Sequence, residues 1–331
     1  MRIHTFSCHP YEISFTHGLV RSGFLIRLTN DKGCVAEGDI APLPKWSQET
    51  FQEALEQCIE KKEKLLKIEW SNETYCKELE KLNLFPSVIF GLESALLTLL
   101  DPLPAHPISV SALLMGSAQE ILAQAILREK EGFTSAKLKV GNLEVTEAEK
   151  IIHQLKDRFH LRIDVNRAWS TEKSLLFFAK FPLDTFDYVE EPLQNPKDLS
   201  QFPHPIAVDE SFPQDLSLED LEKIPTLKAL IYKPTLQGGM MRALPLHRWA
   251  KQRGIALVLS SSFESDHGLM HIVSMAHRLS LKDPVGIGTY HYVHPSVELG
   301  VDGSSTKKLT REGFLLDLGS CGGKALRDVS K

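Results

Sequence analysis

Apolar and polar positions change period along the chain. Segments near Ile3 to Phe15, Gly23 to Arg27 and, after a DKG turn, Val35 to Asp39 alternate with period two and predict an antiparallel meander. The stretch SQETFQEALEQCIEKKEKLL then adopts the helical period, with Phe51, Leu55, Ile59 and Leu66 near one face and Ser47 placed as N-cap. A second helix, SVIFGLESALLTLL after Pro86, is apolar nearly all round, which predicts burial between domains. From about Pro107 to Tyr290, short β-rich runs alternate with amphipathic helices such as VTEAEKIIHQLKDRF and EKSLLFFAKF. Eight candidate strands fall near Ser109, Lys137, Arg162, Tyr188, Ala207, Ile231, Val258 and Gly286. Such alternation means a parallel sheet, either open and doubly wound or closed into a barrel. The tail after about His291 holds a candidate hairpin, KKLTREGFLLDLG, expected to return to the first domain.

Five of the central runs end in an ionisable residue. AKLKVG, LRIDVN, FDYVEE, PIAVDE and ALIYKP give Lys139, Asp164, Glu190, Asp209 and Lys233, at intervals of about 19 to 26 residues, the length of one strand, one helix and their loops. Because strand side chains alternate faces, Lys137 shares a face with Lys139, Arg162 with Asp164, Tyr188 with Glu190, Ala207 with Asp209 and Ile231 with Lys233. The intervening positions are apolar or lie in loops. The polar set therefore points inward at the C-terminal strand ends, where barrel enzymes carry their sites. With Lys139 on the second strand and Lys233 on the sixth, a closed ring of eight sets the lysines on opposite sides of the mouth. An open sheet in sequence order would separate them by about 20 Å, too far to share a small substrate.

Composition narrows the function class. The chain has 331 residues, enough for a large core and two domains, with a net charge of −5 that gives no electrostatic reason to expect nucleic acid or an anionic membrane as partner. No apolar stretch reaches membrane-spanning length, and the start, MRIHTFSCHPYEISF, lacks a signal-peptide core. Cys8, Cys34, Cys58, Cys76 and Cys321 are scattered without CxxC spacing, which argues against a zinc or disulfide framework and for a reducing, cytoplasmic setting.

Three carboxylates without a nearby histidine or cysteine form an all-oxygen set suited to a hard cation, Mg²⁺ or alternatively Mn²⁺. Such an ion can polarise a substrate carboxylate and stabilise the enediolate left when the α-proton departs. A lysine can take that proton if a like charge, here Lys137, lowers its pKa. Arg162 reads as structural or paired with an acid, and His267 as pocket rim or surface. Gly238-Gly239 opens the helix after the sixth strand, either as an anion-binding N-terminus or as a tight turn.

These motifs resemble those of the enolase superfamily, in which a lysine base works beside Mg²⁺. KLKVG, RIDVNRAW, VEEP, AVDES, IYKPT followed by GG, and SSSFES carry the likeness through the barrel. GDIAPLPKWSQET and PSVIFGLESAL carry it through the N-terminal part and are similar to the o-succinylbenzoate synthases. The resemblance implies a modified TIM barrel, (β/α)7β, over residues 103–291, with an α+β capping domain of residues 1–102 completed by 292–331. It implies a Mg²⁺-dependent syn dehydration of 2-succinyl-6-hydroxy-2,4-cyclohexadiene-1-carboxylate to 2-succinylbenzoate, in menaquinone biosynthesis. On it, Lys139 is the base and then the acid, and Lys233 stabilises the enediolate from the opposite face. Asp164, Glu190 and Asp209 are the metal ligands, with Glu191 and Glu210 behind them. Asn166, Ser260 and Lys137 line the substrate site, and loops Gly18 to Arg21 and Pro42 to Trp46 close over it.

Gly288, in GIGTYHY, stands where some relatives carry an acid, and the lysine-rich helix near Lys61 reads as solvated surface. Facing lysines would equally serve a dipeptide epimerase or N-acylamino acid racemase, against which no DxD pair follows the eighth strand. A non-catalytic barrel would not need all five ionisable residues. The expected partner is a small carboxylate substrate, with the chain a monomer or small homo-oligomer.

Overall fold

The structure is a computed structural model, and it describes residues 1–16, 18–103 and 108–293. The predicted meander forms a three-stranded antiparallel sheet of β1 (Ile3–Ser14), β2 (Val20–Asn30) and β3 (Val35–Ile40). Helices α1 (Phe51–Lys67), α2 (Tyr75–Glu80) and α3 (Pro86–Leu100) follow it. The N-cap of α1 is Thr50, not Ser47. Thr50 makes a reciprocal capping box with Glu53, whereas Ser47 Oγ accepts from the Leu43 N–H in the preceding loop. The buried stripe of α1 is Ala54, Cys58 and Leu65, and Ile59 is exposed. Two of its three buried residues are the small Ala54 and Cys58, which a face drawn from large side chains alone leaves out.

Helix α3 is buried along most of its length, as its all-round apolarity requires, and it serves two cores. Val88, Leu92 and Leu96 pack with the meander, while Phe90 belongs to the core of the second unit. Contact is close because two glycines meet. A Cβ on Gly38 of β3 would lie 1.9 Å from the Gly91 carbonyl oxygen, so backbone touches backbone there.

The remaining elements alternate strand and helix. In order they are β4 (Ala112–Leu114), α4 (Ala118–Lys130), β5 (Ser135–Lys139), α5 (Val145–Leu155), β6 (His160–Asp164), α6 (Thr171–Phe178), β7 (Tyr188–Glu190), β8 (Ile206–Val208), α7 (Leu218–Leu221), β9 (Leu227–Tyr232), α8 (Pro234–Gln237), α9 (Met240–Gln252), β10 (Ala256–Leu259) and α10 (Asp266–Arg278). The seven strands pair in parallel in the order β10-β9-β8-β7-β6-β5-β4. Val285 and Gly286 fill the gap between the outer two, through parallel bridges Val110 to Val285 and Ser260 to Gly286, so hydrogen bonds run round a ring. The first barrel strand begins a little later than the pattern near Ser109 predicts, because Ser109 is taken up by the closing bridge, where its carbonyl accepts from the Val285 N–H.

Period two sorts the barrel's apolar residues cleanly. Tyr188, Ala207, Ala229, Ile231 and Val258 form a small interior cluster, while Val189, Ile206, Val208, Leu230 and Leu257 face the helices in the large outer core. Arg162 is structural: it stacks over Tyr188 at 5.1 Å and donates to the Pro284 carbonyl at 2.7 Å, tying the ring closed from inside. The expected C-terminal hairpin lies outside the described residues. Just before it, Val293 bridges Phe15 and the Thr16 N–H donates to the Tyr292 carbonyl. Cys8, Cys58 and Cys76 are free thiols.

Candidate active site

The strand register assembles the polar set. Lys139 of β5 pairs with Asp164 of β6, which pairs with Glu190 of β7. Asp209 directly follows β8 and Lys233 directly follows β9. Around the ring, β6, β7 and β8 separate β5 from β9 on one side, and β4, the 285–286 segment and β10 on the other. The two lysines thus stand on opposed strands. Both line a cavity of about 190 Å³, together with Lys137, Asn166, Ser260 and Glu210.

Each ammonium is held by a buried acid. Asp164 Oδ2 accepts from Lys137 at 2.8 Å and from Lys139 at 2.9 Å. Lys137 also donates to Glu190 Oε1 at 2.6 Å, Lys139 to Asn166 Oδ1 at 2.7 Å, and Lys233 to Asp209. Asn166 is locked by its own backbone, at φ 49° with its N–H on Asp164 Oδ1 at 3.0 Å. Burial opposes the charge on Asp164, but Lys137 and then Lys139 outweigh it and hold the carboxyl well below the usual range. Asp209 is lowered in the same way by Lys233. Glu190 behaves oppositely: burial and then the neighbouring Asp164 push it well above the usual range. Burial works against the Lys137 and Lys233 charges, yet Asp164 and Asp209 respectively raise both.

The three acids stand on consecutive strands but do not converge on one point here. Among the described residues no group of three or more His, Cys, Asp or Glu is spaced to share an ion; Lys137 stands between Asp164 and Glu190, and Lys233 holds Asp209. The donor set nevertheless fits a hard cation. It is entirely oxygen, nearly fully buried, and Glu190 Oε2 has no hydrogen-bond partner.

Glu191, at φ 44°, turns away from the cavity and braces the next strand end. Its Oε1 accepts from the N–H groups of Asp209 and Ser211 at 2.8 and 2.9 Å, and its Oε2 from Ser211 Oγ at 2.5 Å. Burial, and next the Glu210 charge, raise Glu191 to about 7. Glu210 differs from the reading that set it behind the acids, for it lines the cavity itself. From the meander unit, Leu43 and Trp46 reach the cavity, as the Pro42 to Trp46 loop predicts. Arg21 does not. It is fully buried and donates to the carbonyls of Ala41, Pro42 and, at 3.3 Å, Phe263, because an alternating strand start turns that residue inward.

Two further expectations change. The amides after Gly239 are not open to a substrate anion: Glu93 of α3 accepts from the Met241 N–H at 2.9 Å and caps α9. A Cβ on Gly239 would lie 2.0 Å from Glu93 Oε2, so this glycine admits the acid. His267 is neither rim nor free surface but lies 3.0 Å from both Glu37 and Asp266. Burial opposes its charge, yet those acids raise it to about 10. Missed altogether was the joint between the units. Across it Asp39 accepts from Ser265 Oγ at 2.8 Å, as well as from Tyr11 Oη of its own unit at 2.6 Å, and on the barrel side Glu264, next to Ser265, accepts from Thr235 Oγ1 at 2.6 Å. Glu264 lies inside the SSSFES motif and Asp39 inside GDIAPLPKWSQET, which were the available signals.

A closed parallel barrel with opposed lysines over buried acids, joined to an α+β unit, defines the enolase superfamily. The family description "Enolase C-terminal domain-like" matches residues 120–305, and "MenC, N-terminal domain" matches residues 13–99. The o-succinylbenzoate synthase of Pasteurella multocida is 30% identical over 311 residues, covering 87% of this chain and 89% of that one. Among solved structures, MenC from Desulfotalea psychrophila aligns with a TM-score of 0.73 at 20% identity over 92% of this chain and 99% of its own. A dipeptide epimerase from Methylococcus capsulatus, complexed with Mg and L-Arg-D-Lys, aligns with a TM-score of 0.75 at 18% identity over 90% and 93%. The chain belongs to the enolase superfamily and, within it, to the family of the o-succinylbenzoate synthases. It is an enzyme, of the lyase class. Among the described residues no helix is long and apolar enough to cross a membrane.

Proposed function

We propose that the chain dehydrates 2-succinyl-6-hydroxy-2,4-cyclohexadiene-1-carboxylate to 2-succinylbenzoate, with Mg²⁺ as its ion. The observation that carries this reading is the pair Lys139 and Lys233, which stand on opposed strands and line one cavity. Asp164, Glu190 and Asp209 would hold the ion, and the unpartnered Glu190 Oε2 supports that assignment. When bound, Mg²⁺ would offset the negative charge that builds on the substrate carboxylate as its α-proton leaves.

Lys139 takes that proton, and Asn166 and Asp164 hold its ammonium ready for the second half of the reaction. Placed on the face where proton and hydroxyl both depart, it returns the proton to the leaving hydroxyl, which makes the elimination syn. Lys233 stays cationic against Asp209 and stabilises the developing charge from the other face. Glu191 fixes the backbone that carries Asp209. Residues 1–102 act as the cap over barrel 103–291, with Leu43 and Trp46 excluding water from the cavity.

The test is ultraviolet-monitored turnover of the cyclohexadiene substrate, run beside exchange of α-deuterium on dipeptides and N-acylamino acids. Turnover supports the dehydratase. Exchange without turnover removes it in favour of racemisation or epimerisation.

A further inference from the structure

We propose that Arg167 is a positioning residue for the reaction: its guanidinium ties together the loops that follow β6, β7 and β8, and so keeps Asn166 in the backbone conformation that presents its carboxamide to Lys139. This rests on the reading of Lys139 as the base and adds a residue that stands behind the cavity wall, which Asn166 itself lines.

The backbone is the first argument. Asn166 and Arg167 stand at φ 49° and 58°, two consecutive residues in the left-handed region. Side chains other than glycine, asparagine and aspartate are disfavoured there, and such positions persist only where their surroundings hold them. Three amides do part of this. The Asn166 N–H donates to Asp164 Oδ1 at 3.0 Å, the Arg167 N–H to the Glu191 carbonyl at 3.0 Å, and the Ala168 N–H to the Val165 carbonyl at 3.1 Å. What the turn delivers is Asn166 Oδ1, which accepts from Lys139 Nζ at 2.7 Å.

The guanidinium is the second. Nη1 of Arg167 donates to Asp215 Oδ2 at 2.6 Å, in the loop after β8. Nε and Nη2 both donate to the Gln194 carbonyl at 3.3 Å, in the loop after β7. The Gln194 N–H donates back to the Trp169 carbonyl at 2.9 Å, so these two loops are tied in both directions. As an ion pair, with side chains 29% and 42% exposed, Arg167 and Asp215 contribute little to stability. A rigid planar fork reaching two acceptors on two loops contributes geometry instead. Leucine reaches neither acceptor, and an ammonium cannot reproduce the fork.

The test uses the Mg²⁺-loaded protein. In Arg167→Leu, kcat for the cyclohexadiene substrate should fall at least about tenfold, within the ~100-fold that a misplacement of about 1 Å can cost. KM and the calorimetric Kd for Mg²⁺ should change far less, and Arg167→Lys should recover part of kcat. Asn166→Gly takes the left-handed turn freely but lacks the acceptor. On that background Arg167→Leu should change kcat by less than about twofold, the non-additivity of two residues acting through one contact. A readout independent of turnover is the Asn166 carboxamide signal in protein labelled with ¹⁵N-asparagine, assigned by its loss in Asn166→Gly. It should shift or broaden in Arg167→Leu, while circular dichroism stays as in the wild type. An unchanged kcat, a rise in KM alone, a Mg²⁺ Kd that weakens in step with kcat, or an unmoved Asn166 signal overturns the positioning role and leaves the dehydratase reading standing. So does a loss that persists in full on the Asn166→Gly background. Wild-type protein that does not turn over the substrate overturns both.

Discussion

Lys139 on β5 donates to Asp164 Oδ2 on the neighbouring strand at 2.9 Å, and the strand pairing itself brings the two into register. Side chain and partner are thus set by backbone hydrogen bonds, not by a mobile loop. Lys139→Ala should cut kcat for dehydration by at least about 100-fold, the low end of what a general acid–base contributes. Mg²⁺ binding, followed by calorimetry, should persist, because the three acids remain. Turnover near wild type in this variant would remove Lys139 from its role.

Asp209 is buried beside Lys233 and its backbone is braced by Glu191. Asp209→Asn should weaken Mg²⁺ affinity by more than the ~10–100-fold that loss of an outer supporting contact costs. Chelation should abolish turnover, and added Mg²⁺ should restore it. Unchanged affinity in the variant would argue against these acids as ligands.

Glu93 joins the two units with a buried carboxylate raised to about 7, first by burial, against the opposing pull of the Met241 and Met240 amides, Tyr75 and Arg278. Its ordinary value is 4.5. Between those values the folded chain keeps a proton that the unfolded chain has released. Stability contributed here therefore falls as pH rises from about 4.5 to about 7, by on the order of 3 kcal/mol in all. Glu93→Gln keeps an acceptor for the α9 amides and cannot ionise. Urea unfolding at pH 5 and pH 8 should show a smaller difference for the variant than for the wild type; equal differences would count against the carboxyl as its source.

Arg21 ties the loop before Leu43 to the loop after Ser262 through three carbonyls, with no exposure to water. Arg21→Met leaves those carbonyls without their donor and the buried Glu264 without its neighbouring cation. Unfolding free energy should drop by about 3–5 kcal/mol. Arg21→Lys should recover only part, since one ammonium cannot span three acceptors. A loss under ~1 kcal/mol for Arg21→Met would show that the clamp contributes little.

Much of the molecule was legible in its residues. Period-two alternation placed the meander, and the repeated run ending in an ionisable residue placed Lys139, Asp164, Glu190, Asp209 and Lys233 at successive strand ends, because strand length and face alternation are local properties. Ring closure rested on the chemistry of the strand ends and on an eighth candidate strand near Gly286, which in the structure is reduced to two isolated bridges. What only tertiary structure decided were contacts between residues far apart in the chain. Glu93 caps α9, Arg21 clamps Phe263, and Asp39 receives Ser265 because the cap packs on the barrel, and no periodicity records which distant donor will meet a buried acceptor. Local pattern set which residues face inward; packing between the two units set what each of them touches.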